Sequence, residues 1–455
     1  MSIQTINPAT EEKLAKYPLL SGKDVNHLID RADNAFLDWR KTSFEFRRQH
    51  MLALSDLLRR KKKELALLIA REMGKPITQG EAEIEKCAWL AEHYAEKAEE
   101  YLKPQTIQTE LQKSTVYYQP LGIVFAIMPW NFPFWQVYRC AIPAIMAGNA
   151  VILKHAPVTT GCGFAIEKLF IEAGFSPHLF QQAVVDNEGA AALIAHDKIA
   201  SLSFTGSEKA GRVVAANAAS HLKKSVLELG GSDPYLVLDD ADLDLAADCI
   251  IKSRLNNCGQ VCIAAKRIIA VACVYDDLVA KIQQRLQHYA MGEPANPETT
   301  LGPMAREDLR ATLHQQVLES VKQGARLVEG GVLPAGPGFY YPPTLLVNVK
   351  PGMTAFEEEL FGPVIAVIQV NNEAEGIRLA NQSPYGLAGA VFTRDIVRGE
   401  DIAKNLIEAG SCFVNALVAS DPRLPFGGIK HSGYGRELSR EGILEFVNIK
   451  TVAIK

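Results

Sequence analysis

Apolar residues recur at helical spacing through residues 22–102. Val25, Leu28, Ile29, Ala32 and Phe36 form one stripe, and Leu54, Leu57, Leu58, Leu65, Leu68 and Ile69 form another. Gly74-Lys75-Pro76 breaks the pattern, and a charged helix is predicted from Glu81 to about Tyr101. Its glutamates Glu81, Glu85, Glu92 and Glu96 are assigned to a solvated face. Residues 105–118 alternate instead and are rich in Thr, Val and Tyr, which predicts a strand pair or hairpin outside the main pattern.

From residue 121 the period changes. Gly122–Ile127 is a continuous apolar run, as expected of a strand buried on both faces. A helix should follow from about Phe134 to Gly148, then a strand at Ala150–Leu153 and a helix at Thr159–Ala173. Strands are predicted at Leu179–Val185, Ile199–Phe204 and Ser225–Leu229, with helices between. This alternation implies a parallel, doubly wound sheet whose ligand site lies at the carboxyl ends of the strands. A second α/β segment spans about 231–420, with strands at Tyr235–Leu238, Arg267–Val271 and Val364–Val370 and a helix from Ala241. The tail ends in a strand at Val447–Ile454. No charge occurs from Ser114 to Tyr138, but Pro120, Pro129, Pro133 and Asn131 would break a membrane helix there. A buried strand, a loop and a helix start fit better.

A chain of 455 residues is too long for one core, so two or three domains are expected. The net charge of −4 supplies no basic footprint for nucleic acid and no reason to adhere to anionic membranes. Eight cysteines, with no CxxC pair, suit a reducing cytosol rather than a disulfide framework or a zinc site, and no metal is expected. Residues 1–14 carry no targeting pattern, so the expected compartment is the cytoplasm.

Several stretches could carry chemistry. In Asn256-Asn257-Cys258-Gly259-Gln260-Val261-Cys262, Cys262 is either a thiolate nucleophile or a buried small hydrophobe. Gly259 permits close approach of backbone. Phe204-Thr205-Gly206-Ser207 ends a strand and opens a helix, where free N–H groups can hold phosphate. It equally reads as an ordinary turn. Lys154 ends a strand and could reach ribose or phosphate oxygens, or simply be solvated. Glu228, at an apolar strand end, suits a general base or a structural carboxylate capping the glycine turn. Asn131, between Pro129 and Pro133, is an oxyanion donor or a turn residue. Pro425–Glu437 packs four glycines into nine residues and alone reads as a structural loop.

In combination and in this order, MPWNFP, a strand-terminal lysine, FTGS, ELGG, GQVC, EELFGPV and PFGGIKHSGYGRE resemble the aldehyde dehydrogenase superfamily along essentially the whole chain. KHAP at 154–157, ELGGSDP at 228–234 and CIAAKR at 262–267 look most like its bacterial succinate-semialdehyde dehydrogenase branch. The resemblance implies an α/β fold with three parts. A Rossmann-like NAD(P)-binding domain covers 1–104 and 119–230. A catalytic α/β domain covers 231–420, and 421–439 return to the cofactor domain. A small β element at 105–118 and 440–455 mediates assembly into a homodimer or homotetramer.

The same resemblance makes Cys262 the nucleophile, Glu228 the general base and Asn131 the oxyanion donor, assisted by the Cys262 backbone N–H. It brings NADP or NAD against Met128, Pro129, Trp130 and Asn131, with Lys154 on the adenosine ribose and Pro157 nearby. Phe204, Gly206 and Ser207 approach the pyrophosphate, Leu229 and Gly230 flank the cofactor, Glu359 holds the nicotinamide ribose, and Phe361 lies beside the ring. Two positions depart from relatives. Pro157 stands where many NAD-preferring members carry a glutamate, so nothing there repels a 2′-phosphate. Asn256 stands where another semialdehyde branch carries an arginine, so a substrate carboxylate must be held elsewhere. Trp135 and Arg139, four apart on the helix after Asn131, share one face. A partly buried Arg139 asks for an anion, either a protein carboxylate or the distal carboxylate of a short ω-semialdehyde, with Trp135 and Ser420 lining the pocket. Succinate semialdehyde leads and glutarate semialdehyde follows. The alternatives are a CoA-acylating dehydrogenase, which often lacks the ELGG glutamate, and a non-catalytic homologue.

Overall fold

The computed structural model describes residues 1–455. Four helices, Gly22–Trp39, Phe44–Arg60, Lys62–Met73 and Ile77–Tyr101, occupy the region of helical periodicity. Ser21 and Asp24 form a reciprocal capping box at the first, and Ser43 caps the second. Gly74, in the left-handed region at φ 80°, ends the third. The glutamates of Ile77–Tyr101 are not simply solvated. Arg59, on a neighbouring helix, pairs with Glu85 and Glu92, so these two join a partly exposed cross-helix ionic network, while Glu96 is exposed as expected.

A six-stranded sheet follows, in the order Gly433–Tyr434, Lys224–Glu228, Ile199–Thr205, Ile123–Met128, Ala150–His155, Phe180–Gln182. Five strands are parallel. The sixth, Gly433–Tyr434, is antiparallel to Lys224–Glu228 and brings the glycine-rich loop back beside Glu228. The strand expected over Leu179–Val185 contracts to Phe180–Gln182, because it lies at the sheet edge and pairs on one side only. From Ile123–Met128 the chain builds outward in one direction through Ala150–His155 and then in the other through Ile199–Thr205. The strand order therefore reverses beside Met128, and a crevice opens at the carboxyl ends there.

The second sheet has seven strands. Its centre consists of Thr344–Val347, Val364–Val370, Arg267–Val271, Pro234–Val237 and Ala388–Phe392, all parallel. Separate apolar cores form around the two sheets, one including Phe125, Ile152 and Leu202, the other Leu236, Ile269 and Val367. The alternating stretch near 105–118 becomes Gln105–Ile107 and Lys113–Pro120, an antiparallel pair that Val447–Ile454 extends to three strands.

The loop between Met128 and helix Trp135–Met146 is anchored from outside. No local side chain caps that helix. Instead Glu83, from Ile77–Tyr101, accepts the N–H groups of Phe134 and Trp135 at 2.9 and 3.0 Å. An anion at a helix N-terminus satisfies orphan donors and the positive end of the dipole. Glu83 is balanced by Lys75, with both side chains essentially inaccessible, and the Lys75 ammonium lies 3.7 Å from the centre of the Phe132 ring. On the other side, His155 Nε2 donates to the Pro133 carbonyl at 2.9 Å. Its Nδ1 accepts from Thr159 Oγ1 and the Ala156 N–H, which fixes the neutral tautomer. Burial holds the His155 pKa down at about 4, so the ring stays neutral at physiological pH.

Glu83→Gln should keep the shape of this anchor and strand the Lys75 charge. Removing one partner of a buried pair should lower unfolding stability by on the order of 3 kcal/mol, read as a shift in denaturant midpoint. A change below about 1 kcal/mol would show that the pair does not hold the loop.

Candidate active site

The nucleophile turn is built from unusual backbone. Helix Leu243–Leu255 ends, and Asn257 and Cys258 both adopt left-handed conformations at φ 50° and 54°. Gly259 follows at φ 70° and packs directly on the Gly362 carbonyl, where any side chain would collide. Buried Arg254 ties the turn down, donating to the carbonyls of Val364 and Leu360, both at 2.5 Å.

Side-chain amides brace this turn to the loop carrying Asn131. Asn131 Nδ2 donates to the Gln260 carbonyl at 3.0 Å, and Asn257 Nδ2 donates to the Asn131 carbonyl at 2.7 Å. An amide nitrogen has two hydrogens, so Asn131 retains one for a ligand. The Cys262 backbone N–H donates to no protein acceptor. These two donors can face one developing oxyanion.

Cys262 is half-buried at the wall of a cavity of about 430 Å³. Trp135, Arg139 and Ser420 share that wall, as do Lys86, Asn256 and Phe426. Burial pushes the thiol pKa up to about 11. The positive charges of Arg139 and Lys266 oppose the rise, and Asp233 and Glu359 add to it. In the resting protein Cys262 is therefore a protonated thiol at neutral pH.

Arg139 is 2% exposed and already has an anion. Its guanidinium pairs with Glu437 at 2.6 Å and lies 4.4 Å from the centre of the Phe426 ring. A protein carboxylate thus meets the demand inferred from sequence. Glu228 is also buried, and both its carboxylate oxygens lack a hydrogen-bond partner. Burial, with the nearby negative Glu437, pushes its pKa well above the carboxylate range, against the pull of Arg139 and Arg436. Glu228 lies by Gly427 of the glycine-rich loop rather than on the cavity wall.

At the strand ends stand the residues expected to meet a cofactor. Ser207 caps helix Glu208–Ser220, and Gly211 lets that helix close onto Leu229. Lys154, one residue before the end of its strand, has no carboxylate paired to it, and burial lowers its pKa against the pull of Asp186. Glu359 packs where Gly230 has no side chain, accepts the Gly231 N–H at 3.2 Å and pairs with Lys266 at 2.6 Å. Lys266 also donates to the Cys262 carbonyl at 2.5 Å, linking the nucleophile to Glu359. Trp130 and Phe361 meet edge to face at 5.9 Å. Pro157 is exposed and opens a short 3₁₀ turn.

Sequence reasoning missed Glu83, Lys86, His155, Asn257, Lys266 and Glu437. For Glu83 a signal existed: it falls on the buried stripe with Gly80, Ile84, Cys87 and Leu90, not on the solvated one. The others become visible only through contacts between segments distant in sequence.

The raised thiol pKa has a direct consequence. Alkylation of Cys262 by iodoacetamide in the ligand-free protein should accelerate about tenfold per pH unit through the neutral range and not level off below about pH 10. Peptide-level mass spectrometry separates it from the exposed Cys273. A plateau near pH 7 would show a thiolate stabilised by something other than the neighbours named here.

Comparison with known proteins is consistent with this geometry. The aldehyde dehydrogenase family model matches residues 1–452. The chain is 45% identical over 448 residues to succinate semialdehyde dehydrogenase (NAD(P)+) Sad of Escherichia coli strain K12, covering 98% of this chain and 97% of that one. It is also 45% identical to a probable NADP(+) succinate-semialdehyde dehydrogenase of Synechocystis over the full length of both. The crystal structure of succinic semialdehyde dehydrogenase from Streptococcus pyogenes in complex with NADP+ superposes with a TM-score of 0.97 at 35% identity, covering 99% of each chain. With a family model matched over residues 1–452 and full-length relatives at 45% identity, the chain belongs to the aldehyde dehydrogenase family.

Proposed function

We propose that the protein oxidises succinate semialdehyde to succinate with NADP or NAD. The observation that carries this reading is the cavity. It ends at the Cys262 thiol, and its wall bears the cations Lys86 and Arg139 and the hydroxyl of Ser420. Full-length relatives named for this substrate support the reading.

Cys262, once deprotonated, attacks the aldehyde carbon. The free Asn131 Nδ2 hydrogen and the Cys262 N–H receive the oxyanion, and one such donor is typically worth ~3–4 kcal/mol. Lys154, Ser207 and Glu359 would hold NADP or NAD, which when bound would supply the acceptor for the hydride leaving the aldehyde carbon. The resulting thioester is hydrolysed by water whose proton Glu228 takes. A raised pKa makes Glu228 a stronger base when ionised, and it shifts the ionised form to higher pH. Hydrolysis should therefore quicken as pH rises.

The remaining parts of the reading concern place and assembly. We propose a cytoplasmic homodimer or homotetramer assembled through the three-stranded sheet. Its strand Val447–Ile454 exposes Val452 and Ile454 on one face and Ile449 on the other, apolar surface that asks for cover. No helix is long and apolar enough to cross a membrane.

Reduced-cofactor formation from succinate semialdehyde, with and without CoA, tests the reaction. Wild type should turn over without CoA, and an absolute CoA requirement would favour the acylating alternative. Glu228→Gln should keep a burst of about one reduced cofactor per site while steady turnover falls ~10²–10⁴-fold. Equal loss of burst and turnover would assign Glu228 to an earlier step as well. On cofactor choice, Pro157→Glu should depress NADP use more than NAD use, because a carboxylate would then face the 2′-phosphate near Lys154. Equal loss with both cofactors would remove that rationale.

A further inference from the structure

Lys86 lies on helix Ile77–Tyr101 and reaches the cavity wall opposite helix Trp135–Met146. Its ammonium donates to Ser420 Oγ at 2.9 Å and lies 4.5 Å from the centre of the Trp135 ring. Other charges at this wall are already matched. Arg139 has Glu437, and Glu83 has Lys75. Lys252, also on the wall, is exposed and served by water. Lys86 alone is partly buried there and has no carboxylate within ion-pair distance. An ammonium removed from bulk water without a counter-ion is costly, and a cavity that keeps one is built for an anion.

We propose that Lys86, with Ser420, takes the distal carboxylate of the substrate and selects ω-oxo acids over uncharged aldehydes. This rests on the reading given under Proposed function and supplies the group that makes the direct ion pair. Ser420 can accept from Lys86 and donate its own proton to the same carboxylate, so both groups converge on one ligand end. The indole of Trp135 stabilises the ammonium from the far side. Arg139 has Glu437 as its counter-ion and adds positive potential to the same wall, with its Nε and one Nη left without a hydrogen-bond partner. Burial, and after it the charge of Arg139, lowers the Lys86 pKa to about 8, against the opposing pull of Cys87, Asp421 and Glu83. The charge that selects the substrate is therefore lost as pH rises through the mildly alkaline range.

The test compares succinate semialdehyde with butanal. Wild type should prefer the semialdehyde, and indifference between the two would overturn the substrate reading itself before any variant is made. Lys86→Met preserves length and removes the charge. It should lower kcat/KM for succinate semialdehyde by at least ~30-fold, mainly through KM, and change butanal by less than about threefold. Equal losses on both aldehydes would make Lys86 structural, and no loss on either would leave recognition to Arg139. Either result overturns the proposal. A second measurement needs no variant. In wild type the ratio of the two kcat/KM values should fall as pH rises above about 8, since kcat/KM reports ionisations of the free enzyme. A ratio flat from about pH 7 to 9.5 would likewise overturn it. Where the variant is also measured, its ratio should be low and flat.

Discussion

The site depends on holding one short loop, residues 129–134, against a turn that belongs to the other sheet. Neither segment is stable alone. The loop starts a helix without a local cap, and the turn places two non-glycine residues in left-handed backbone. Glu83 supplies the missing cap from a third element. The reciprocal amide bonds of Asn131 and Asn257 then join loop and turn. Left-handed conformations of this kind cost of order 1–3 kcal/mol each and persist only where surroundings over-determine them. Here they bring the thiol-bearing segment under an amide whose position was set independently. Preorganisation of the two candidate oxyanion donors is thus a property of the junction between the two units.

The fold was legible where periodicity was strong. Arg267–Val271, Val364–Val370 and Val447–Ile454 run over the residues expected from their apolar or alternating pattern. The misreadings have physical causes. Phe180–Gln182 is shorter than its apolar run because apolar character reports burial, whereas strand length reports pairing, and an edge strand has pairing on one side only. The glutamate stripe of Ile77–Tyr101 looked solvated because polarity alone does not reveal Arg59 on another helix. At the site, Cys262, Asn131 and Glu228 stood out as residue types in odd company, an amide between prolines or a carboxylate in an apolar strand end. Glu437 and Lys266 did not, since a glutamate after an arginine or a lysine before one is unremarkable until the chain folds.

Arg139 shows how far such reasoning reaches. A guanidinium inside an apolar helix does require an anion, and it has one. Which anion is a question of tertiary contact that spacing cannot answer. Glu437 arrives from the glycine-rich loop, whose return to the edge of the first sheet is fixed by the antiparallel pairing of Gly433 with Glu228. The loop that read as structural is therefore what neutralises Arg139 and places a second carboxylate near Glu228.

The charges around Cys262 follow a rule that separates framework from function. Glu83 is matched by Lys75, Arg139 by Glu437, and Glu359 by Lys266. These pairs are matched in charge within the protein, although both Glu437 oxygens and two Arg139 nitrogens have no hydrogen-bond partner and burial still raises the Glu437 pKa. The groups left unmatched are the protonated Cys262 thiol, Glu228 with two unpartnered oxygens, and Lys86 and Lys154, neither with a carboxylate. Burying an ionisable group without a partner is unfavourable, and in each case the pKa moves toward the neutral form. That displacement measures how much interaction each group can still gain. A carbonyl carbon for the thiol, a water proton for Glu228, a carboxylate for Lys86 and a ribose or phosphate for Lys154 are the partners whose arrival would recover it. The protein thus leaves a buried charge unmatched at Lys86 on the cavity wall, and at Glu228 and Lys154 away from it, where an arriving ligand or water can supply the missing partner.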